Sequence, residues 1–278
     1  MHADLMRLMY AYAMEAGAIS LEEMENASGR LKADESFVTH VDLKLSELAV
    51  SMFSSCIPPG CIITEEHLEH YLTLPDDPPA ETDEILVVVD PLDGTRNYVH
   101  SIPLYGISVG VLKNRRPWLG LVAFPGIDEI ITCDGEATYF ITGTYRGKPQ
   151  KKRVNSAPYE ITKNSILLGC TGFLRDHEWD YNSGQIVQTG CASMNLCWTA
   201  VGRAAATVFG NRLWDIAGSW PILLNTGFVI KGLESGRDLT EFSRDLCDPV
   251  SHNLRELHLV CRPEHYGVIT ASSAPRSS

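Results

Sequence analysis

The chain has 278 residues, of which 44% are hydrophobic and 21% are charged, an ordinary composition for a globular protein with a sizeable core. Its 23 Lys and Arg residues against 35 Asp and Glu residues give a net charge of −12, which argues against binding to a nucleic acid polymer or an anionic membrane. The eight cysteines form no CxxC pair, and no apolar run reaches the roughly 20 residues of a membrane-spanning helix. We therefore expect a cytoplasmic protein with free thiols and no zinc ribbon.

The first half of the chain is predicted to contain two helices followed by a series of strands. Apolar residues at spacings of three and four indicate an amphipathic helix within residues 3–26. A second helix is predicted from Asp42 to about Phe53, and Asp42 lies near its start, where a carboxylate meets free backbone N–H groups. Residues 67–84, rich in Pro, Asp and Glu, are predicted to be a solvated excursion. The predicted strands are 61–64, 85–89, 105–112, 118–124, 129–133 and 137–141.

The second half is predicted to begin after a stretch rich in Lys, Arg, Gly and Pro at 143–158. We place the halves at residues 1–145 and 146–270, and predict a disordered Ser/Ala/Pro tail at 271–278. The elements predicted in the second half are strands at 165–170, 206–209, 228–231 and 257–261, and helices at 191–203 and 215–225. Because strands and helices alternate, the fold class is a layered α/β or α+β architecture.

The densest group of candidate functional residues follows the continuous β-branched run that predicts a buried strand. Asp90 and Asp93 flank a turn, and the Leu92 carbonyl adds a further oxygen; such hard oxygen ligands suit Mg²⁺. Gly94, which has no Cβ, lets the backbone approach a phosphate closely. Thr95 offers a hydroxyl able to orient a water. An exposed acidic turn is the ordinary alternative, but the buried strand that feeds the loop favours a functional site.

Three other segments, with four acidic residues between them, are weak signals when taken singly. Glu65 and Glu66 follow a short apolar strand, although acidic pairs are usually solvated. Asp215 and Asp42 each stand near a predicted helix start, where a helix cap is the ordinary interpretation.

Together these segments resemble the inositol monophosphatase family of lithium-sensitive, magnesium-dependent phosphatases. The resemblance covers roughly residues 3–262 and implies an αβαβα sandwich of the inositol monophosphatase and fructose-1,6-bisphosphatase type. The matching segments are VTHVD at 38–42, TEEH at 64–67, DPLDGTRNYVH at 90–100, LWDIAG at 213–218 and, more loosely, GCASMNLCWTAVGR at 190–203.

The resemblance implies a metal site and a reaction. Glu65, Asp90 and the Leu92 carbonyl would bind a first Mg²⁺, while Asp90, Asp93 and Asp215 would bind a second; Glu65 could also reach a third. Two such ions can clamp a phosphoryl group and activate water. We expect hydrolysis of a small phosphate monoester by direct attack of a metal-activated water, without a phosphoenzyme. Mn²⁺ is expected to substitute for Mg²⁺, and Li⁺ to inhibit.

The resemblance also implies which residues act on water and substrate. Thr95 would hydrogen-bond to Asp42 and, with Glu65, would orient and deprotonate the attacking water. Backbone N–H groups of the DGT segment would cradle the phosphate oxygens. A homodimer is expected, because relatives commonly form dimers. The implied substrate-binding residues are Gly94, Thr95, Asp93 and Ala192.

The sequence departs from the family where relatives recognise the sugar ring. They typically carry a glutamate in the short strand before the WD motif, but residues 204–212 contain no acidic residue. Gln188 replaces a basic residue of the family, and Asn195 stands where many relatives have an aspartate. Arg212 could suit a more anionic substrate such as a bisphosphate, although a solvated surface arginine is the preferred interpretation.

Two alternative functions stay open at this point. The substrate could be fructose 1,6-bisphosphate, histidinol phosphate or a 3′-phosphoadenosine nucleotide; a nucleotide would need a stacking platform, and the sequence does not place Phe173, Trp179 or Trp198 near the site. The chain could instead be a catalytically silent binding or regulatory relative, although such a relative would be expected to have lost a metal carboxylate. His67, next to the Glu pair, is left out of the site because a lone histidine is more often structural.

Overall fold

The computed structural model describes residues 1–26, 28–32, 37–67, 84–155, 159–210, 212–248 and 250–276. Most of the predicted excursion at 67–84 lies outside these described residues. The helices within them are α1 His2–Glu23, α2 His40–Phe53, α3 Thr95–Val99, α4 Thr171–Asp176, α5 Ala192–Ala200, α6 Leu213–Ala217, α7 Trp220–Asn225 and α8 Tyr266–Ala271.

Two large sheets organise the described strands. The first has seven strands in the order β3-β4-β5-β6-β7-β8-β9, with only β3 and β4 parallel. Its strands are β3 Ile62–Thr64, β4 Ile85–Asp93, β5 Gly106–Lys113, β6 Arg116–Phe124, β7 Glu129–Cys133, β8 Thr138–Thr142 and β9 Gln150–Arg153.

The second sheet is mixed and has five strands in the order β12-β10-β13-β15-β14. Two short antiparallel pairs, β1 with β2 and β11 with β16, lie outside both large sheets. The remaining strands are β1 Gly29–Leu31, β2 Phe37–Thr39, β10 Ile166–Leu168, β11 His177–Trp179, β12 Gln185–Val187, β13 Ala206–Phe209, β14 Val229–Gly232, β15 His258–Cys261 and β16 Ser273–Pro275.

The sandwich follows from the burial of both faces of the first sheet. Along β4, Val87 and Val89 pack into a core shared with α1 and α2, whereas Leu86 and Val88 face a second core that includes residues of α5, α6 and α7. Successive strand residues point to opposite faces, so a continuous apolar run needs a layer on each side. The second sheet packs beyond these central helices, with α4 and α8 against a third core. The layers confirm the predicted αβαβα sandwich.

Helix α6 lies unusually close to the first sheet. A Cβ atom on Gly110 of β5 would come within 2.3 Å of the Ala217 backbone, so only glycine allows this approach. Asp215 lies on the same short helix and is thereby brought toward the end of β4.

The structure confirms most predicted elements and changes several boundaries. The predicted helix 215–225 is two helices, because Pro221 at the start of α7 has no N–H to continue α6. The helix predicted over 191–203 is shorter, Ala192–Ala200. Strands β11 and β12, between residues 171 and 190, were not predicted. No described helix combines the length and the apolar composition needed to span a membrane.

The disordered tail predicted at 271–278 is wrong for its first part. Ser273–Pro275 pairs antiparallel with His177–Trp179, and the Asp180 N–H donates to the Ser272 carbonyl at 2.8 Å. This pairing joins residues almost a hundred positions apart, which local composition does not reveal. Residues 277–278 lie outside the described residues.

The edge strand β9 extends the first sheet beyond the predicted division at 145/146. Gln150–Arg153 pairs with β8, so the first sheet ends at Arg153. The division of the chain into two halves stays a prediction.

Candidate metal and phosphate site

Asp90 is the most deeply buried carboxylate among the predicted metal ligands. It belongs to β4 and is 1% exposed. Its Oδ1 accepts from the Leu92 N–H at 3.0 Å, but its Oδ2 has no hydrogen-bond partner among the described residues. Burial, followed by the charges of Glu65 and Asp93, raises the pKa of Asp90 well above its ordinary range. A buried, unpartnered carboxylate oxygen is costly unless a cation compensates it.

Asp93 connects the same loop to the start of α5. Its carboxylate accepts hydrogen bonds from the Cys191 thiol at 3.1 Å, from the Ala192 N–H at 3.2 Å and from the Ser193 N–H. Ala192 is thus brought to the site, with its N–H directed at Asp93. These bonds hold the Asp93 carboxylate between the end of β4 and the start of α5.

Asp215 completes a cluster with Asp90 and Asp93. One oxygen from each of the three carboxylates lies within 4.8 Å of the others. Asp215 also accepts from the Arg212 N–H at 2.8 Å, so it acts as a helix cap as well as a cluster member. Burial and the charge of Asp93 raise the pKa of Asp215 to about 6. Three hard oxygen donors with one uncompensated buried oxygen fit a divalent cation such as Mg²⁺.

Glu65 lies beside two basic side chains. The Lys32 ammonium is 2.9 Å from Glu65 Oε1 and also contacts Glu66, while Arg212 Nη1 is 3.6 Å from Glu65 Oε1. Burial nevertheless raises the pKa of Glu65 to about 7, against the lowering effect of Lys32. The preferred interpretation of Arg212 as a solvated surface arginine was wrong, because its side chain is only 20% exposed and faces the site.

Thr95 and Asp42 form the predicted pair. The Thr95 hydroxyl lies 3.1 Å from Asp42 Oδ1 and 3.0 Å from the Leu92 carbonyl oxygen, and can donate to either. The other Asp42 oxygen accepts from the Thr39 N–H at 2.8 Å at the start of α2. Asp42 therefore caps its helix and holds Thr95 at once. Its burial raises its pKa.

Gly94 has a backbone conformation that few other residues adopt. Its φ is +87°, in the left-handed region, and a Cβ there would lie 3.1 Å from the Leu104 carbonyl oxygen and from Cys191 Cβ. The sharp turn places Asp93 and Thr95 on the same side of the loop, facing one cavity.

The cavity has a volume of about 790 Å³ and collects most of the predicted site residues. Asp42 does not line it and lies behind Thr95. The aromatic residues considered as nucleotide platforms, Phe173, Trp179 and Trp198, do not line it either. The predicted residues that line the cavity are Glu65, Asp90, Leu92, Asp93, Gly94, Thr95, Ala192 and Asp215.

Sequence reasoning missed several residues around this cavity. Arg96 and Phe209 line it, and Lys32 contacts both glutamates behind it. The Asn97 amide donates to the Leu104 and Thr189 carbonyls, at 2.7 and 2.8 Å. It thereby links the loop after α3 to the segment that precedes α5. Arg96 stands inside the DPLDGTRNYVH segment at 90–100 and could have been found there, whereas no local pattern marks Lys32.

A layered fold with a buried carboxylate cluster beside the Thr95 hydroxyl is typical of metal-dependent phosphatases. The chain belongs to the inositol monophosphatase family, whose model matches residues 3–259. Membership of this family supports a phosphatase.

Three similar proteins illustrate the relationship. Inositol monophosphatase 3 from Solanum lycopersicum is 35% identical over 57% of this chain, and the match spans 62% of that protein's length. Nus factor SuhB from Vibrio cholerae serotype O1 is 25% identical over 80% of this chain and 81% of its own. The solved structure of an IMPase from Thermotoga maritima has a TM-score of 0.75 at 19% identity, covering 97% of this chain and 96% of that one. This last likeness concerns the fold alone.

Proposed function

We propose that this chain hydrolyses a small phosphate monoester in a Mg²⁺-dependent reaction, by direct attack of water on phosphorus. The observation that carries the proposal is the Asp90–Asp93–Asp215 cluster, with its unpartnered Asp90 oxygen, in the same cavity as Thr95. The family relationship supports the same reaction class.

The proposed metal ligands are the carboxylates of Glu65, Asp90, Asp93 and Asp215 and the Leu92 carbonyl. When bound, divalent ions supply positive charge to the phosphoryl oxygens and lower the pKa of water. The proposed set shares Asp90 between two ions, which suits the orphaned Oδ2 of that residue.

Thr95 is proposed to orient the attacking water. Because its hydroxyl hydrogen is directed to Asp42 or to the Leu92 carbonyl, its oxygen lone pairs are left to accept from a water in the cavity. Glu65 is the second proposed acceptor for that water and takes its proton. We propose that three residues of the cavity lining border the bound phosphate and leaving group: Asp93, Gly94 and Ala192.

The proposal is tested by measuring phosphate release from a panel of esters with Mg²⁺, with Mn²⁺ and with EDTA. The panel comprises inositol 1-phosphate, fructose 1,6-bisphosphate, histidinol phosphate, 3′-phosphoadenosine 5′-phosphate and glycerol 2-phosphate. We expect metal-dependent turnover of at least one member. No turnover of any member with either metal would contradict the proposal and favour the alternative of a catalytically silent relative.

Retention of every proposed ligand favours the enzyme over the silent relative. Four further expectations are carried over from the family as proposals: a third, weaker metal, inhibition by Li⁺, a homodimer and a cytoplasmic location. The first two are measured by metal titration and by assay with added Li⁺. Light scattering during size-exclusion chromatography tests the dimer.

A further inference from the structure

Arg96 is the one cationic side chain that lines the 790 Å³ cavity among the described residues. It immediately follows Gly94 and Thr95 and is exposed, whereas Asp90 and Asp93 lie buried at the bottom. Arg96 is therefore closer to solvent than the carboxylates that share the cavity with it.

The side chain of Arg96 makes no hydrogen bond or ion pair within the described part of the chain. Other arginines of the protein do: Arg203 pairs with Glu129 and Arg116 with Glu241. An arginine that shares a cavity with four carboxylates and yet pairs with none is available to a ligand.

Three of the four carboxylates in the cavity already have other partners, and the fourth, Asp90, is only 1% exposed. Glu65 contacts Lys32, Asp93 accepts from the start of α5, and Asp215 accepts from the Arg212 N–H. The planar guanidinium fork matches phosphate and carboxylate groups, so Arg96 is suited to an incoming anion.

A second part of the cavity lining carries no charged side chain. Phe209 and Leu257 contribute apolar surface, and β13 ends there without an acidic residue. The polar groups on this side bond to one another: Thr189 donates to Asn195 at 2.7 Å. Gln188 likewise donates to the Thr171 hydroxyl at 2.9 Å. A neutral polyol would find few unpaired donors and acceptors here.

We infer that Arg96 binds a second anionic group on the substrate, and that the substrate is a phosphate monoester that also carries a second phosphate or a carboxylate. This inference rests on the proposed function and narrows its substrate class. Arg96 is thus a specificity-determining residue: it discriminates among leaving groups and takes no part in the attack on phosphorus.

The test compares esters in pairs that differ by one anionic group. The pairs are glycerol 2-phosphate with 2-phosphoglycerate, fructose 1-phosphate with fructose 1,6-bisphosphate, and adenosine 3′-phosphate with adenosine 3′,5′-bisphosphate. In at least one pair the wild-type kcat/KM should favour the more anionic member by about tenfold or more, as expected for a charge-assisted hydrogen bond.

In Arg96→Gln that preference should fall to within about threefold of unity, mainly through a higher KM for the more anionic member. Arg96→Lys should keep part of it, because the charge remains without the fork. Arg116→Gln, a change at an exposed arginine on the β5–β6 hairpin, is the matched control and should keep the wild-type ratio.

Two results would overturn the inference while leaving the phosphatase intact. One is the absence of any preference in all three pairs. The other is an equal loss on both members in Arg96→Gln, which would mean that Arg96 binds the reacting phosphate itself. If no ester is turned over, the proposed function fails, and calorimetric binding of the same pairs to the Ca²⁺-loaded protein decides the inference: tighter binding of the anionic member that depends on Arg96 supports it, and equal binding overturns it.

Discussion

The two walls of the cavity differ in how their polar groups are satisfied. The acidic wall, at the end of β4, gathers Asp90, Asp93 and Asp215 within 4.8 Å of one another and leaves one buried oxygen without a partner. On the opposite wall, Thr189 and Asn195 hydrogen-bond to each other beside the apolar Phe209. In the proposed function, the acidic wall binds the cations and so determines the type of reaction. The polar groups of the uncharged wall are already hydrogen-bonded to one another. Under the proposal, substrate choice therefore depends on the few cavity side chains without a partner among the described residues, such as Arg96.

The largest effect is expected from Asp90→Asn, which replaces the carboxylate shared by both proposed metals. Turnover should fall by about a thousandfold or more, because an amide binds divalent cations poorly and its NH₂ would face the other carboxylates. Phosphate release with saturating Mg²⁺ measures this. Asp134→Asn, a change at a half-buried residue between β7 and β8 that does not line the cavity, is the control. A variant with a tenth of wild-type activity would contradict the proposed ligand set.

Thr95→Ala should lower kcat by about a hundredfold, the usual scale for losing a group that handles the attacking water. The substitution removes the hydroxyl that joins Asp42 to the Leu92 carbonyl. Thr95→Ser keeps the hydroxyl and should retain most of the activity. If serine and alanine are equally impaired, the methyl group matters and the proposed role of the hydroxyl is wrong.

Metal affinity should depend on pH at the acidic wall. The pKa of Glu65 is about 7 and that of Asp215 about 6 in the metal-free protein, so both bind protons as the pH falls through these values. Because a cation must displace those protons, Mn²⁺ affinity should drop by about tenfold or more between pH 8 and pH 5.5. Calorimetry at the two pH values measures it, and a constant affinity would contradict the proposed involvement of these groups.

Substitutions of Asp90 and of Asp93 should change the stability of the metal-free protein in opposite directions. The raised pKa of Asp90 means that the folded state favours its protonated form, so its ionisation costs stability as pH rises above about 4. In EDTA at pH 8, Asp90→Asn should therefore raise the free energy of unfolding by about 1 kcal/mol, or roughly 2–4 °C in Tm. Asp93→Asn should lower it by about 1–2 kcal/mol, because Asp93 accepts from two N–H groups and a thiol.

Thermal unfolding of both variants at pH 8 and pH 5 provides the control. The gain from Asp90→Asn should shrink as the pH falls from 8 to 5, because the wild-type carboxyl, whose pKa is raised by burial, is progressively protonated. Equal shifts in Tm for the two variants would contradict this prediction, because the unpartnered oxygen of Asp90 would then have no effect on stability.

The smallest effect is expected from Cys191→Ser, beside the uncharged wall. A hydroxyl can donate to Asp93 as the thiol does at 3.1 Å, so kcat/KM should change by less than about threefold. Cys191→Ala introduces a side chain that cannot donate a hydrogen bond, so it should lower kcat/KM more than Cys191→Ser does. Equal activities of the serine and alanine variants would show that the hydrogen bond from residue 191 to Asp93 does not contribute to activity.

The sequence predicted the acidic wall better than the rest because its signals are local. The apolar run of β4 leads directly to Asp90, Asp93 and Thr95, and the resemblance joined the weaker signals of Glu65 and Asp215 to them. The alternation of strands and helices predicted a layered fold, and the family resemblance specified the αβαβα sandwich.

The missed features depend on contacts between distant parts of the chain. Gly110 admits α6 close to the sheet, Ser273–Pro275 pairs with β11, and Arg212 reaches Glu65 from another element. No periodicity encodes such approaches. Arg96 was missed for a different reason: its lack of a partner becomes visible only when the whole cavity is assembled.

The most direct test of the metal site is an equilibrium Mn²⁺ titration followed by electron paramagnetic resonance at pH 8. Wild-type protein should bind at least two ions per chain. Asp215→Asn should bind one fewer, or bind the second at least about tenfold more weakly, and Asp134→Asn should match the wild type. If Asp215→Asn binds the same number of ions with the same affinity as wild type, the three carboxylates are not a metal site and the proposed hydrolysis loses its foundation.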